Sequence, residues 1–216
     1  MSQAGITDTA KQIASRLLEI GAVHLRPDEP FTWTSGIKSP IYCDNRITMS
    51  YPAVRKLIAQ SFADMIRERY PDVEVIAGTA TAGIPHAAWV AELFNLPMIY
   101  VRDKAKAHGR QNQIEGKLDQ GQKVVVIEDL ISTGGSSLKA AQAVQAEGGN
   151  VLGVAAIFSY QFQTAEDLFA GAGVSFSTLS NYTALLSVAR EQGIIDEAKE
   201  QLLSEWRKAP QTFYQA

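Results

Sequence analysis

Thirteen consecutive residues constrain this chain more than any others: Val124-Val125-Val126-Ile127, then Glu128-Asp129, then Leu130-Ile131-Ser132-Thr133-Gly134-Gly135-Ser136. Four β-branched apolar residues in a row leave no polar face for solvent. Such a run suits a central strand of a parallel sheet, covered on both sides. Two carboxylates follow, and then a small turn rich in hydroxyls and glycine opens a helix. The rest of the sequence repeats this alternation. Residues 73–77, 98–101, 123–127, 151–158 and 174–179 read as strands; 84–95, 136–147 and 164–170 read as helices between them. The expected class is therefore α/β, a central mostly parallel sheet with helices on both faces.

The N-terminal part reads differently. Residues 7–20 place Ala10, Ile13, Ala14, Leu17 and Leu18 on one helical face, and Gly21 stops the helix. Residues 30–45 alternate apolar and polar side chains with turn residues between, the pattern of a short strand pair. Ser50 is expected to cap a helix with Pro52 in its first turn. The core stripe of that helix would be Val54, Leu57, Ile58, Ser61 and Met65. Residues 182–208 read as helical with a break near Gly193. The whole is expected to be one domain over 1–216, with a small hood contributed mainly by residues 1–50.

Composition narrows the function. The 216 residues carry 20 basic and 23 acidic side chains, a net charge of −3, which gives no broad surface for nucleic acid. The single cysteine, Cys43, rules out a disulfide scaffold and fits a reducing cytoplasm. No apolar run approaches the ~20 residues of a membrane span, and the N-terminus has no signal-peptide pattern. The expected setting is cytoplasmic, without membrane or nucleic-acid partners.

The chemistry gathers in two segments. The turn after Asp129 offers backbone N–H groups at a helix N-terminus, and such groups bind phosphate. Gly134 and Gly135 let an anion approach the main chain, while Ser132, Thr133 and Ser136 add hydroxyl donors. Glu128 and Asp129 would repel a phosphate, so they suit sugar hydroxyls or a hydrated Mg²⁺ beside it. No Gly-Lys-Ser/Thr follows, which excludes a Walker A loop, and no GxGxxG is present. A merely structural turn would not need two adjacent acids. The second segment, residues 102–117, has almost no apolar residues and carries Arg102, Lys104, Lys106, His108, Arg110 and Lys117. A loop this long within a compact domain is usually functional. No nucleophile triad is evident. Cys43 has only Arg46 as a cationic neighbour, and His24 and His86 stand in plain surroundings.

Four apolar residues, two acids and a Thr/Ser/Gly loop resemble the phosphoribosyl-pyrophosphate (PRPP) motif of the type I phosphoribosyltransferases. Arg102-Asp103-Lys104-Ala105-Lys106-Ala107-His108-Gly109 is similar to the mobile catalytic loop of the orotate-specific members. So are Phe31-Thr32-Trp33-Thr34-Ser35-Gly36 with Lys38-Ser39-Pro40, the Gly83-Ile84-Pro85 turn, and Leu179-Ser180-Asn181-Tyr182. The resemblance implies a pentosyl transfer in pyrimidine synthesis: orotate and PRPP give orotidine 5′-monophosphate and pyrophosphate. It implies Mg²⁺, carried mainly by PRPP and reached by Asp129 through water at most, with no direct protein ligand. It also implies a homodimer in which the basic loop serves the partner's site.

In this resemblance PRPP is held by Arg102, Lys104, Lys106, His108, Glu128, Asp129, Leu130, Ile131, Ser132, Thr133, Gly134, Gly135 and Ser136. Lys106, His108 and Asp129 are the expected catalytic residues and Ser132 the expected orotate contact; the orotate carboxylate, without the family's usual arginine, is left to Lys38, Arg46 or backbone N–H groups. The turn 78–83 takes the place of a pyrophosphate loop. The chain departs from the pattern at Asp103, Thr34 and Thr81-Ala82, each standing where relatives carry lysine. It also lacks an arginine in Ser159-Tyr160-Gln161-Phe162. Two rival readings are a purine-specific transferase and a PRPP-sensing regulator. The hood segment and basic loop oppose the first; the acidic pI of 5.7 opposes the second.

Overall fold

The computed structural model describes residues 6–33, 36–103 and 113–214. Chain order begins with α1 (Asp8–Glu19), β1 (Val23–Leu25), β2 (Phe31–Thr32), β3 (Lys38–Ser39), β4 (Ile41–Cys43) and a 3-10 helix (Asn45–Ser50). It continues with α2 (Pro52–Arg69), β5 (Val75–Thr79), α3 (Gly83–Phe94), β6 (Met98–Val101), β7 (Ile114–Glu115) and β8 (Lys123–Ile131). It closes with α4 (Gly135–Ala146), β9 (Asn150–Ser159), α5 (Gln163–Gly171), β10 (Phe176–Asn181), α6 (Tyr182–Glu191) and α7 (Glu197–Lys208).

Six strands form one sheet in the order β10-β9-β8-β5-β6-β7, parallel throughout except for the short edge strand β7. The apolar run of β8 lies between β5 and β9, and residues 124–127 are fully buried. Alternation divides them between two cores. Val125 and Ile127 join Ile13, Ile58, Phe62, Leu185 and Trp206 on one face. Val124 and Val126 join Leu138, Val144 and Phe169 from α4 and α5 on the other. A strand with two apolar faces can sit only in this place.

β5 runs over 75–79 rather than 73–77, and four further details differ from the sequence expectation, each for a local reason. β8 does not end at Ile127. Its ladder with β9 continues through Leu130↔Phe158 and Ile131↔Ser159, so both carboxylates lie within the strand. Ser50 does not cap α2, because the preceding 3-10 helix takes it in. Tyr51 occupies the cap position without a side-chain bond, and Pro52 follows. The buried stripe of α2 is Val54, Ile58, Phe62 and Ile66, one row over from Leu57, Ser61 and Met65. The last strand starts at Phe176, leaving Val174 in the second core.

The hood is built from two small antiparallel pairs, β1 with β4 and β2 with β3. Neither pair is stable alone, and the aromatic side chains beneath them supply the support. The Trp33 ring packs on Tyr160 (5.4 Å) and edge-on against Trp206 (6.0 Å). Trp206 Nε1 donates to the Lys38 carbonyl at 3.1 Å, which ties α7 to the β2–β3 hairpin. Trp206 and Leu203 are fully buried, so the apolar side of α7 is spent on packing.

Candidate active site

The C-terminal ends of the parallel strands converge where open α/β sheets bind their ligands. Two strand-to-helix turns meet there. The first, between β8 and α4, contains Ser132, Thr133 and Gly134. Gly134 adopts φ +83° as the N-cap of α4, a conformation that side chains other than glycine's resist. A Cβ on Gly135 would touch nothing within 4 Å, so open space lies directly beside the first helical turn. The second turn, between β5 and α3, is packed tightly. A Cβ on Gly83 would stand 2.4 Å from the Ile127 carbonyl oxygen. The Ala80–Thr81 peptide bond is cis.

A cleft of about 620 Å³ lies between these turns and the end of β6, lined by Thr79, Arg102, Gln113, Gly135, Ser136 and Lys139. Thr79 Oγ1 is buried there and makes no hydrogen bond among the described residues. A buried hydroxyl without a partner is costly unless a ligand supplies one. Arg102 pairs with Glu115 at 3.4 Å, and its main chain is paired with Gln113. Lys104, Lys106 and His108 lie outside the described residues.

Period-2 alternation sends the two acids of β8 to opposite faces of the strand. Glu128 goes under α4 and is 5% exposed. Its oxygens accept from the Asp129 N–H (2.9 Å) and from the Ser137 hydroxyl (3.1 Å). Asp129 faces the hood and is half-buried. Burial pushes the pKa of Glu128 well above the usual carboxylate range and raises that of Asp129 as well, while the nearby Arg46 favours charge on Asp129. Leu130 and Ile131 contribute packing, one to each core.

The hood residues reach the site unequally. Arg46 is close enough to Asp129 to favour its ionised form. Its guanidinium, however, is held by Asp44 through Nε (2.6 Å) and Nη2 (2.8 Å). That hydrogen bond lowers the Asp44 pKa. Lys38 donates to Thr32 Oγ1 on its own hairpin at 2.8 Å. Cys43 Sγ lies 3.4 Å from Asn45 Oδ1, and burial raises its pKa well above the usual thiol range. It is thus poorly suited to nucleophilic work.

Sequence reasoning missed four participants. Ser137 is one residue beyond the motif and holds Glu128. Asn45 donates to the Asp129 carbonyl at 2.7 Å from 84 positions earlier, a contact that no local pattern announces. His86 is buried against Phe62 and Trp89, not in plain surroundings, and burial pushes its pKa down to about 4. Finally, the corner after β9 that lacks an arginine in sequence receives one from α7. Arg207 Nη1 donates to Gln161 Oε1 (2.8 Å) and Thr183 Oγ1 (2.9 Å), holding Gln161 at φ +57°.

Comparison with known proteins agrees with this geometry. Residues 45–176 match the family model for a phosphoribosyl transferase domain. The orotate phosphoribosyltransferase of Enterococcus faecalis is 61% identical over 208 residues, 96% of this chain and 99% of its relative. The chain belongs to the orotate phosphoribosyltransferase family. Among solved structures of that family, the Aeropyrum pernix orotate phosphoribosyltransferase superposes with a TM-score of 0.73 at 27% identity, covering 85% of this chain and 99% of that one. A Leishmania donovani UMP synthase gives 0.78 at 28% identity over 92% of this chain, which spans 42% of that longer protein.

Proposed function

We propose that the chain transfers the 5-phosphoribosyl group of PRPP to orotate, forming orotidine 5′-monophosphate and pyrophosphate for pyrimidine synthesis. The observation that carries this reading is the open β8–α4 turn, with Asp129 at its entrance and unoccluded space beside Gly135. The 5-phosphate takes the N–H groups of Gly135, Ser136 and Ser137 together with the hydroxyls of Ser132, Thr133 and Ser136. Asp129 accepts from the ribose hydroxyls. Glu128 does so when it exchanges its bonds to Asp129 and Ser137 for them. The pyrophosphate lies in the cleft lined by Thr79, Arg102 and Lys139.

Departure of pyrophosphate leaves positive charge on the sugar and adds negative charge to the leaving group. No covalent step on the protein is needed; orientation and charge complementarity carry the rate. Arg102, Lys104 and Lys106 meet the pyrophosphate oxygens, and His108 donates to them. Exclusion of water by the 102–117 segment protects the sugar cation from hydrolysis. Ser132, with Lys38 and Arg46, meets the orotate ring and carboxylate.

Mg²⁺ would be brought by PRPP, and the Asp129 carboxylate beside the β8–α4 turn could reach it through water. When bound, the ion neutralises pyrophosphate charge. A homodimer sharing its basic loops completes the reading. A cytoplasmic setting fits the single cysteine, and no helix among the described residues is long and apolar enough to cross a membrane.

The test is loss of orotate ultraviolet absorbance on mixing with PRPP and Mg²⁺, with adenine, hypoxanthine and xanthine in parallel. Turnover of orotate alone is expected; turnover of a purine instead would overturn the base assignment. Mixing Lys106→Ala with Asp129→Asn protein should restore activity in hybrid dimers. No recovery after verified subunit exchange would confine each loop to its own subunit.

A further inference from the structure

Between the two turns of the site runs a buried hydrogen-bonded chain that the reaction as described does not use. The ladder joining β5 and β8 ends at Gly78↔Ile127. Two residues later, the Asp129 carbonyl accepts from Asn45 Nδ2 at 2.7 Å. Asn45 is 0% exposed, so this bond is shielded from water. Its own carbonyl accepts from the Thr48 hydroxyl at 2.6 Å. With its hydrogen spent there, Thr48 Oγ1 can only accept from His86 Nε2, 3.4 Å away on α3. The 3-10 helix carrying Asn45 and Thr48 thus spans the gap from the strand bearing Asp129 to the helix that follows the pyrophosphate turn. Its far end is pinned by Arg55, which donates to the Met49 carbonyl at 2.9 Å and covers the Trp89 ring.

We propose that Asn45 is a positioning residue of the reaction: its amide fixes the Asp129 main chain beyond the end of the β5 ladder and thereby sets where the Asp129 carboxylate meets the ribose. The inference rests on Asp129 accepting the ribose hydroxyls. Asn45 itself touches no substrate. β8 stays paired with β9 as far as Ile131, but on its β5 side the ladder has ended, and there a carbonyl without a partner can turn toward water and carry the side chain of its residue with it. One donor, supplied from the hood, removes that freedom. The hood therefore does more than cover the base; it registers the sugar.

The requirement is for a donor, which Asn45→Asp tests directly. The variant is nearly isosteric but presents a carboxylate to the Asp129 carbonyl at high pH and a hydroxyl donor once protonated. The titratable and charged groups around this position are Cys43 on β4, Asp44 and Arg46 beside it, Glu128 and Asp129 on β8, Tyr160 on β9 and His86 on α3. They are common to both proteins, so the quantity to follow is the ratio of variant to wild type. At pH 8, kcat/KM for PRPP is expected to fall at least about tenfold, with the KM for orotate within about twofold of wild type. As the pH falls toward 6, the ratio should climb back.

A variant that tracks wild type at every pH overturns the proposal. So does a loss that fails to recover at low pH in a protein with unchanged circular dichroism and Tm. Should Asn45→Asp fail to fold, Asn45→Ala decides by calorimetry: weaker PRPP binding with orotate binding retained supports the role, while equal loss of both makes the residue merely structural. Asp129→Asn separates this inference from its premise. If that variant keeps its KM for PRPP, the ribose assignment falls; if it loses PRPP while Asn45 variants do not, only the positioning role falls.

Discussion

The β5–α3 and β8–α4 turns end neighbouring parallel strands and each leads into a twelve-residue helix, yet they are built in opposite ways. The β5–α3 turn is closed by contact with protein. A Cβ on Gly78 would lie 2.9 Å from Ile84 Cα, and one on Gly83 would run into the Ile127 carbonyl. The β8–α4 turn is open, with free space beside Gly135 and an exposed Thr133 and Ser136. Glycine serves two purposes here. In one turn it lets two protein backbones approach; in the other it leaves space open beside the first helical turn. A glycine-rich sequence alone does not distinguish these uses.

Three measurements sharpen or break that contrast. The largest effect concerns the protein-filled side, at His86. A histidine held near pKa 4 binds its proton only below that value when folded, whereas the unfolded chain binds it below about 6.5. The unfolded state therefore carries more protons between those values. The His86 contribution is complete above pH 6.5 and is lost as the pH falls toward 4, by about 3 kcal/mol. The carboxyls of Glu128 and Asp129, with raised values, act in the opposite sense, losing their contribution as the pH rises. Urea unfolding of wild type and His86→Gln from pH 7 to 4 should show the variant with the weaker acid-side loss. Parallel curves would mean that the ring is reached by water.

Gly83→Ala comes next. It is expected to cost roughly 1–3 kcal/mol of stability, as overpacking does, visible as a lower Tm. A wild-type Tm would show that the turn has slack. Gly135→Ala has the smallest effect on the fold. Its stability should stay level or rise by up to about 1 kcal/mol, the helix preference of alanine over glycine. Its kcat/KM for PRPP should drop about tenfold all the same. An unchanged value would remove the anion from this turn and erase the contrast.

How far the sequence could be read follows the same division. The β8 run, the α/β alternation and the glycine-rich β8–α4 turn are local patterns, and each appears where the sequence places it. Two adjacent acids suggest a strand terminus, yet continued pairing with β9 carries β8 on to Ile131. Ser50 has the residue type of a cap, but it belongs to a 3-10 turn, which leaves little trace in hydrophobic periodicity. Asn45, His86 and Arg207 could not be found locally. Their partners lie 84, 38 and 46 positions away, and nothing in their neighbours marks them as buried or bridging.

The tie between Trp206 and the Lys38 carbonyl spans 168 positions, and it sets an order of assembly. During synthesis every strand of the sheet leaves the ribosome before α7 does. The β8–α4 turn can close as soon as β8, β9 and α4 have emerged. The β2–β3 hairpin, among the first segments made, must wait for nearly the last helix before Trp33 has Trp206 beneath it. The growing chain thus completes the β8–α4 turn early and the β2–β3 wall of the hood late. A proteolytic cut between α6 and α7 would return the finished protein to that earlier stage.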